Sequence, residues 1–283
     1  MSIYYSDFVK ETGNKPVNYS SYSNETLCHE VKSFSKLNQK ISLPTWLLYL
    51  YFEEVLTESL KIILSEKCGD VKRATDIISS LSHPSRITPL DAYNRDLYQL
   101  VLEPEHNAKK ALETFLGKYV SWGVYDVNYE IVSADSHKNK IKDIDKNKAT
   151  KLISEIDVKY ENQLRSTLAI KQQWKGDKQL SAMIDLYSLY AYFKDWKNYY
   201  REQNAYKLKI LFKEIASRLA LTPEQVSFLT EEEACNLLKG NLTVSAGELD
   251  KRIRNSAFLF FHDILTIITD IDDLRTVDSY LYT

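Results

Sequence analysis

Apolar positions recur at helical spacing along most of this chain, and the places where that period fails mark the connections. From Thr45 the residues Leu48, Phe52, Val55, Leu56 and Ile63 fall on one face, with Glu53, Glu54, Glu58 and Lys61 on the others. That pattern predicts an amphipathic helix closed near Gly69, a residue able to take the left-handed turn that follows a helix. A further helix is expected over Val71–Leu81. The prolines of His83-Pro84-Ser85-Arg86-Ile87-Thr88-Pro89 then enforce a connector. Thr88 and Pro89 suit the cap and first turn of the next helix. Helical spacing resumes from Ala108 to Val120 and breaks at Trp122-Gly123-Val124-Tyr125.

Residues 133–149 carry Asp135, His137, Lys138, Lys140, Lys142, Asp143, Asp145, Lys146 and Lys148 with little apolar content, which predicts a solvated linker loop. Lys151–Trp174 reads as helix and Gly176-Asp177 as a break. Lys178–Leu219 reads as one very long helix or two nearly collinear ones. Within it Ala182, Leu186, Leu189, Phe193, Trp196 and Tyr200 step by four and three, the expected core stripe.

The last third is organised in shorter pieces. Thr222-Pro223-Glu224-Gln225 and Thr230-Glu231-Glu232-Glu233 each fit a capping box, in which the threonine and the third helical residue bond each other's backbone amide. The second of these helices is expected to close at Lys239-Gly240, and another to follow over Ser245–Arg254. Ala257–Phe261 and Ile264–Ile268, aromatic and β-branched around His262-Asp263, predict a β-hairpin with His262 in its turn.

Composition sharpens the fold class. Seven Gly and six Pro in 283 residues cannot punctuate a chain of many short strands, so the protein is expected to be mainly α. The expected architecture is a helical bundle over 44–220, after a loosely structured lead-in over 1–43 that holds one short helix near Thr26–Leu37. A small C-terminal α+β cap over 221–283 contains the one β-hairpin. A net charge of -2 gives no electrostatic reason to expect nucleic acid or an anionic membrane as partner. No apolar run reaches the length of a membrane span, no signal peptide is visible, and the three unpaired-looking cysteines (Cys28, Cys68, Cys235) fit a reducing, cytoplasmic setting.

Three constellations are candidates for chemistry. Asp270, Asp272 and Asp273 could hold magnesium, as aspartates of all-helical metal-dependent enzymes do, or could cap and charge the start of a short helix over Ile271–Val277. The belt of Tyr187, Tyr190, Tyr192, Trp196, Tyr199 and Tyr200 interleaved with Lys194, Lys197 and Arg201 could stack nucleobases or form a packing surface. Tyr192 and Tyr199, off the core stripe, with Lys194 and Lys197 are its exposed interaction candidates. Arg254, Asn255 and His262 pair an arginine with a histidine across a strand, where the two share no helical face. Cys235, beside Leu237 and Leu238, reads as a buried apolar residue.

The segment Ala205–Gly240, AYKLKILFKEIASRLALTPEQVSFLTEEEACNLLKG, resembles a recurrent stretch of phosphoenolpyruvate synthase-like proteins, in which a long helix leads to a turn, an "Lt-x-e-E" run and a short helix closed by Gly. The matching residues are Leu221, Glu224, Phe228, Leu229, Thr230, Glu232, Glu233, Leu237, Leu238 and Gly240, with Arg252 and Arg254 ahead of the hairpin. Upstream, Leu81-Ser82-His83-Pro84, the Asp91–Leu100 helix and Lys118-Tyr119 with Trp122 are similar to the helical part that precedes this stretch. The resemblance is strongest over 178–240 and extends over 45–275.

The family's phosphoryl transfer belongs to an ATP-grasp domain, a swivelling phosphohistidine domain and a barrel. None of His29, His83, His106, His137 or His262 stands in the glycine-rich context of its phosphorylated histidine. No catalytic residue is carried over, and no cofactor and no catalytic activity in this chain alone are expected. The resemblance implies a non-catalytic scaffold that positions an adjoining or separate phosphotransfer domain. The alternatives are a stand-alone helical protein-interaction protein and a magnesium enzyme built on Asp270–Asp273; surplus aromatic surface could be buried internally or in a dimer.

Overall fold

The computed structural model describes residues 18–47, 54–241, 244–261 and 264–281. Among them are twelve α-helices and one two-stranded antiparallel sheet, the mainly α fold with a small hairpin-bearing cap that the periodicity predicts. The helices are α1 Asn24–Leu47, α2 Thr57–Cys68, α3 Val71–Leu81, α4 Pro89–Leu102, α5 Glu105–Lys118, α6 Ala134–Ile141, α7 Lys146–Gln173, α8 Lys178–Leu219, α9 Pro223–Ser227, α10 Glu231–Leu238, α11 Ala246–Arg254 and, after the strands β1 Ala257–Phe261 and β2 Ile264–Ile268, α12 Ile271–Leu281.

Two compact units divide the chain. The first holds residues 39–125 and 129–205, so the long helix α8 contributes its first two-thirds to it. Gly69, in the left-handed region at φ 64°, ends α2, and the Asp70 carboxylate accepts the Lys72 amide at 2.8 Å to start α3. The helical hairpin so formed buries Leu60, Leu64, Ala74, Ile77, Ile78 and Leu81 against Leu180, Ile184 and Tyr187 of α8. A second cluster is aromatic: Tyr93 of α4 stacks on Trp122 at 4.2 Å and packs with Phe115 and Tyr119.

Two expectations are corrected in this unit. Residues 133–149 do not form a loop, because Ser133 caps a genuine helix, α6, and α7 begins at Lys146 behind the Asp145 cap. His137 and Ile141, four residues apart, turn to one side and pin α6 on the aromatic cluster, while Lys138 faces solvent. The stripe Ala182, Leu186, Leu189, Phe193, Trp196 and Tyr200 is not the core. The buried face of α8 is Leu180, Ile184, Tyr187 and Ala191, displaced by two residues, and Leu186 and Leu189 remain 40% and 45% exposed.

The second unit holds residues 18–38, 126–128 and 206–281. Residues 18–38, expected within a loose lead-in, pack here: Tyr19, in a 3-10 turn, and Leu27, Cys28 and Phe34, in the first turns of the 24-residue helix α1, share a core with Leu211, Ile215, Val226, Cys235 and Leu238. The Thr45 start expected for the next helix falls inside α1, and Leu48–Glu53 lie outside the described residues. Arg218 fastens this arrangement, its guanidinium donating to Asn24 Oδ1 at 2.8 Å and to the Tyr19 carbonyl at 3.2 Å, while Asn24 Nδ2 donates to the Leu238 carbonyl at 2.7 Å. The long helix ends on Ala220 at φ 54°, with the Leu221 amide closing back on the Ala216 carbonyl at 3.0 Å. Contacts therefore divide the chain near residue 205, in mid-helix.

Both capping boxes form. The Thr222 amide donates to Gln225 Oε1 at 2.9 Å and the Gln225 amide to Thr222 Oγ1 at 3.1 Å, and Thr230 with Glu233 repeats the pattern at 2.9 and 3.1 Å. Lys239 and Gly240, at φ 84°, close α10. Ser245 caps α11, and the hairpin pairs Ala257 with Ile268, Leu259 with Thr266 and Phe261 with Ile264. The connection that carries His262 lies outside the described residues.

Candidate functional site

The base of the hairpin is the most tightly organised polar site in the second unit. Arg252, on the last turns of α11, lies with its side chain 8% exposed. Its Nη1 donates to Glu233 Oε2 at 2.8 Å and to the Phe228 carbonyl at 3.1 Å, and its Nη2 donates to Glu233 Oε1 at 2.9 Å. This two-pronged pairing matches the planar guanidinium to the planar carboxylate. The hydrogen bonds from Arg252 hold the Glu233 carboxyl below its ordinary range, with the Thr230 amide assisting against the cost of burial. One arginine thus ties α11 to the N-terminus of α10 and to the end of α9.

Three residues beyond Arg254 the chain enters β1. Phe258 lies 6.5 Å from the Phe228 ring, whose carbonyl Arg252 holds, and is nonetheless 45% exposed. Leu259, on the other face of the ribbon, and Leu265 are 40% and 41% exposed. No residue of either strand is charged, and each strand pairs only with the other. The hairpin therefore offers apolar side chains on both faces and unpaired backbone groups along its edges.

The Asp270–Asp273 cluster is organised as a helix start. Asp270 Oδ1 accepts the amides of Asp272 and Asp273 at 2.9 and 3.2 Å, and Asp272 pairs with Arg275 at 3.2 Å. The helix it opens runs to Leu281, beyond the expected Val277. Among the described residues no group of three or more His, Cys, Asp or Glu could hold a metal ion. Arg254 bonds the Asp250 carbonyl of its own helix at 3.2 Å. Cys235 is buried, as its neighbours predict, against Cys28.

In the first unit the aromatic belt converges on one indole. Tyr192, Tyr199 and Tyr200 lie 5.6–5.8 Å from the Trp196 ring, and the Arg86 guanidinium sits over Tyr192 at 5.4 Å. Tyr192 and Tyr199 are half-buried, Lys194 is exposed and Lys197 half-buried. Tyr192 is thus engaged by a cation of its own chain on one face.

A site that the sequence reading missed lies between α4, α5 and α6. Tyr93 OH and His137 Nδ1 are 2.7 Å apart, and Lys140 Nζ donates to the same hydroxyl at 3.1 Å. In the neutral imidazole Nδ1 can accept the phenolic hydrogen, which Lys140, a donor only, cannot. Burial, then the charge of Lys140, hold the His137 pKa below its ordinary value. On the outer side of Phe115 a groove of about 390 Å³ runs along α4 and α5, walled by Asp96, Glu103, Asn107 and Lys110 over Leu100 and Phe115. Asp96 accepts the Tyr119 hydroxyl at 2.9 Å and pairs with Lys118. Burial, reinforced by that aspartate, pushes the Tyr119 phenol up. The i, i+4 spacing of His137 and Ile141 is the one sequence signal for this site, and the surrounding lysines mask it.

At the other end of α4, Tyr160 and Lys159 of α7 both donate to Asp91, at 2.6 and 2.7 Å, and the Thr88 amide donates to the Tyr160 hydroxyl at 3.0 Å. Burial raises the Asp91 carboxyl, but the bonds from Lys159 and Tyr160 outweigh it and leave the pKa below its ordinary value. These groups brace a helix start.

No family model, no curated protein and no solved structure matches the chain. Among the described residues no helix is long and apolar enough to cross a membrane.

Proposed function

We propose that the chain is a non-catalytic helical scaffold whose C-terminal hairpin docks and positions a phosphotransfer domain, of the kind found in the phosphoenolpyruvate synthase-like enzymes that it resembles. One observation carries the reading: an uncharged two-stranded ribbon, open along its edges and exposing Phe258, Leu259 and Leu265, stands on a base locked by the Arg252–Glu233 fork. A lone hairpin is marginal in water, and apolar ribbons with free edges associate, so a fixed base combined with a bare ribbon suits a docking element. Much of the segment that carries the resemblance, from Leu221 to Gly240 with Arg252, is the same segment that builds that base.

The test is calorimetric titration of the chain with the isolated swivelling phosphohistidine domain of a phosphoenolpyruvate synthase. Saturable binding that Phe258→Asp weakens by about tenfold or more, roughly 1.4 kcal/mol, supports the reading. Absence of binding to the wild-type chain, or binding that the substitution leaves unchanged, overturns it.

A further inference from the structure

Two of the three cysteines meet in the core of the second unit. Cys28, on the second turn of α1, and Cys235, on the second turn of α10, stand 207 positions apart in sequence and are both buried. Their contact is reciprocal: Cys28 Sγ donates to the Cys235 carbonyl at 3.6 Å, and Cys235 Sγ donates to the Cys28 carbonyl at 3.8 Å. Each thiol thus lies against the other residue's backbone, and the Cys28 side chain bonds the Cys235 thiol as well. Mutual approach of this kind is what a bridge requires, because a disulfide forms only where the two side chains face each other across a short span. Packing alone asks for no such match, since any two small apolar residues would fill the same space.

Burial decides when the pair reacts. A thiol in apolar surroundings keeps its proton and is a poor nucleophile, so the docked pair resists oxidation. Undocking of residues 18–38 uncovers both thiols at once, and the polar contacts that hold this segment, Arg218 to Asn24 and Asn24 to the Leu238 carbonyl, are ones that water can replace. With hydrogen peroxide as the oxidant, one uncovered thiol takes up an oxygen atom to become a sulfenic acid, and the O–O bond breaks with release of water. Redocking presents the second thiol, whose sulfur attacks the sulfenic sulfur. The S–S bond forms, the S–O bond breaks, and a second water leaves with the thiol proton, so that two thiols and one peroxide give one disulfide and two waters. We infer that Cys28 and Cys235 form a redox couple whose disulfide staples the N-terminal segment to α10. Burial then protects the product, because a reducing thiolate must reach the bridge through the same undocking that the bridge opposes. The couple lies in the core of the second unit and rests on no part of the docking reading of the hairpin.

The test treats the full reduced chain with hydrogen peroxide, alkylates the remaining thiols in denaturant and maps the peptides by mass. The expected product is a Cys28–Cys235 linked peptide pair, two hydrogens lighter than its parts, and a bridged chain that melts higher than the reduced one by about 5 °C or more. Dithiothreitol should reduce the bridge at least about tenfold more slowly in buffer than in urea. Cys28→Ser should show neither the linked pair nor any rise in melting temperature on peroxide treatment. Oxidation that leaves Cys28 and Cys235 unlinked, a bridged chain that melts no higher than the reduced one, a bridge reduced as fast in buffer as in urea, or a rise that persists in Cys28→Ser overturns the proposal.

Discussion

The Tyr93 hydroxyl lies 2.7 Å from His137 Nδ1 while accepting from Lys140 at 3.1 Å, so one hydroxyl joins both residues of α6 to α4. Protonating His137 would place a second donor on a hydroxyl that already serves Lys140, and a second positive charge beside the first. The folded-state pKa lies below the ordinary 6.5, so the unfolded chain takes up the proton first as pH falls. Stability contributed by the neutral ring is complete above about 6.5 and declines as pH drops through that value toward the folded pKa. The melting temperature should therefore fall between pH 7 and pH 5, in parallel with faster amide exchange over Ala134–Ile141. His137→Phe should flatten that dependence, and an unchanged slope would contradict the assignment.

Breaking the hairpin's base should be costly. Arg252→Ala leaves Glu233 half-buried without its main partner, and removal of one member of such a pair typically costs about 3–5 kcal/mol. The Glu233 pKa is lowered, so this contribution is present above the ordinary carboxylate pKa and is lost as pH falls below it, a window separate from that of His137. Urea denaturation at neutral pH and at pH 4 reads both effects, and a loss below about 1 kcal/mol at neutral pH would show that the fork does not hold α11.

The thiols should divide into two classes. Burial, then the Cys28 side chain, push the Cys235 thiol up to about 11, and Cys28 is likewise buried. Cys68, at the end of α2, is only half-buried. A thiol reagent at neutral pH should modify Cys68 first and reach Cys28 and Cys235 at the rate of unfolding. Mass-resolved labelling showing Cys235 among the fast sites would contradict the packing of α1 on α10.

Ala220 adopts φ 54° at the end of α8, a conformation glycine takes without the Cβ penalty. Ala220→Gly should stabilise the fold by about 1 kcal/mol, less the extra unfolded-state entropy of glycine. A lower denaturation midpoint in the variant would contradict this helix ending.

Local chemistry was legible and tertiary choice was not. The Thr222 and Thr230 capping boxes, the Gly69 and Gly240 closures and the whole of α8 were readable because each depends on residues a few positions apart. The buried face of α8 is not legible because two rows with identical spacing, Leu180–Ala191 and Ala182–Phe193, compete, and only the α2–α3 hairpin packed on the first decides between them. α6 has the sequence character of a loop because charge outnumbers apolar residues there, although His137 and Ile141 dock it. At the hairpin, the strands and Arg252 are visible, but the union of Arg252 with Glu233 joins residues 19 positions apart and needs the fold.

The scaffold account is tested most directly by backbone chemical-shift mapping of the isotope-labelled chain, titrated with an isolated swivelling phosphohistidine domain. The account predicts saturable shifts concentrated on Ala257–Phe261 and Ile264–Ile268, with Phe228 and Arg252 beneath them and the Asp96–Lys118 groove unmoved. Spectra that do not change at saturating partner, or changes confined to the first unit, would contradict it.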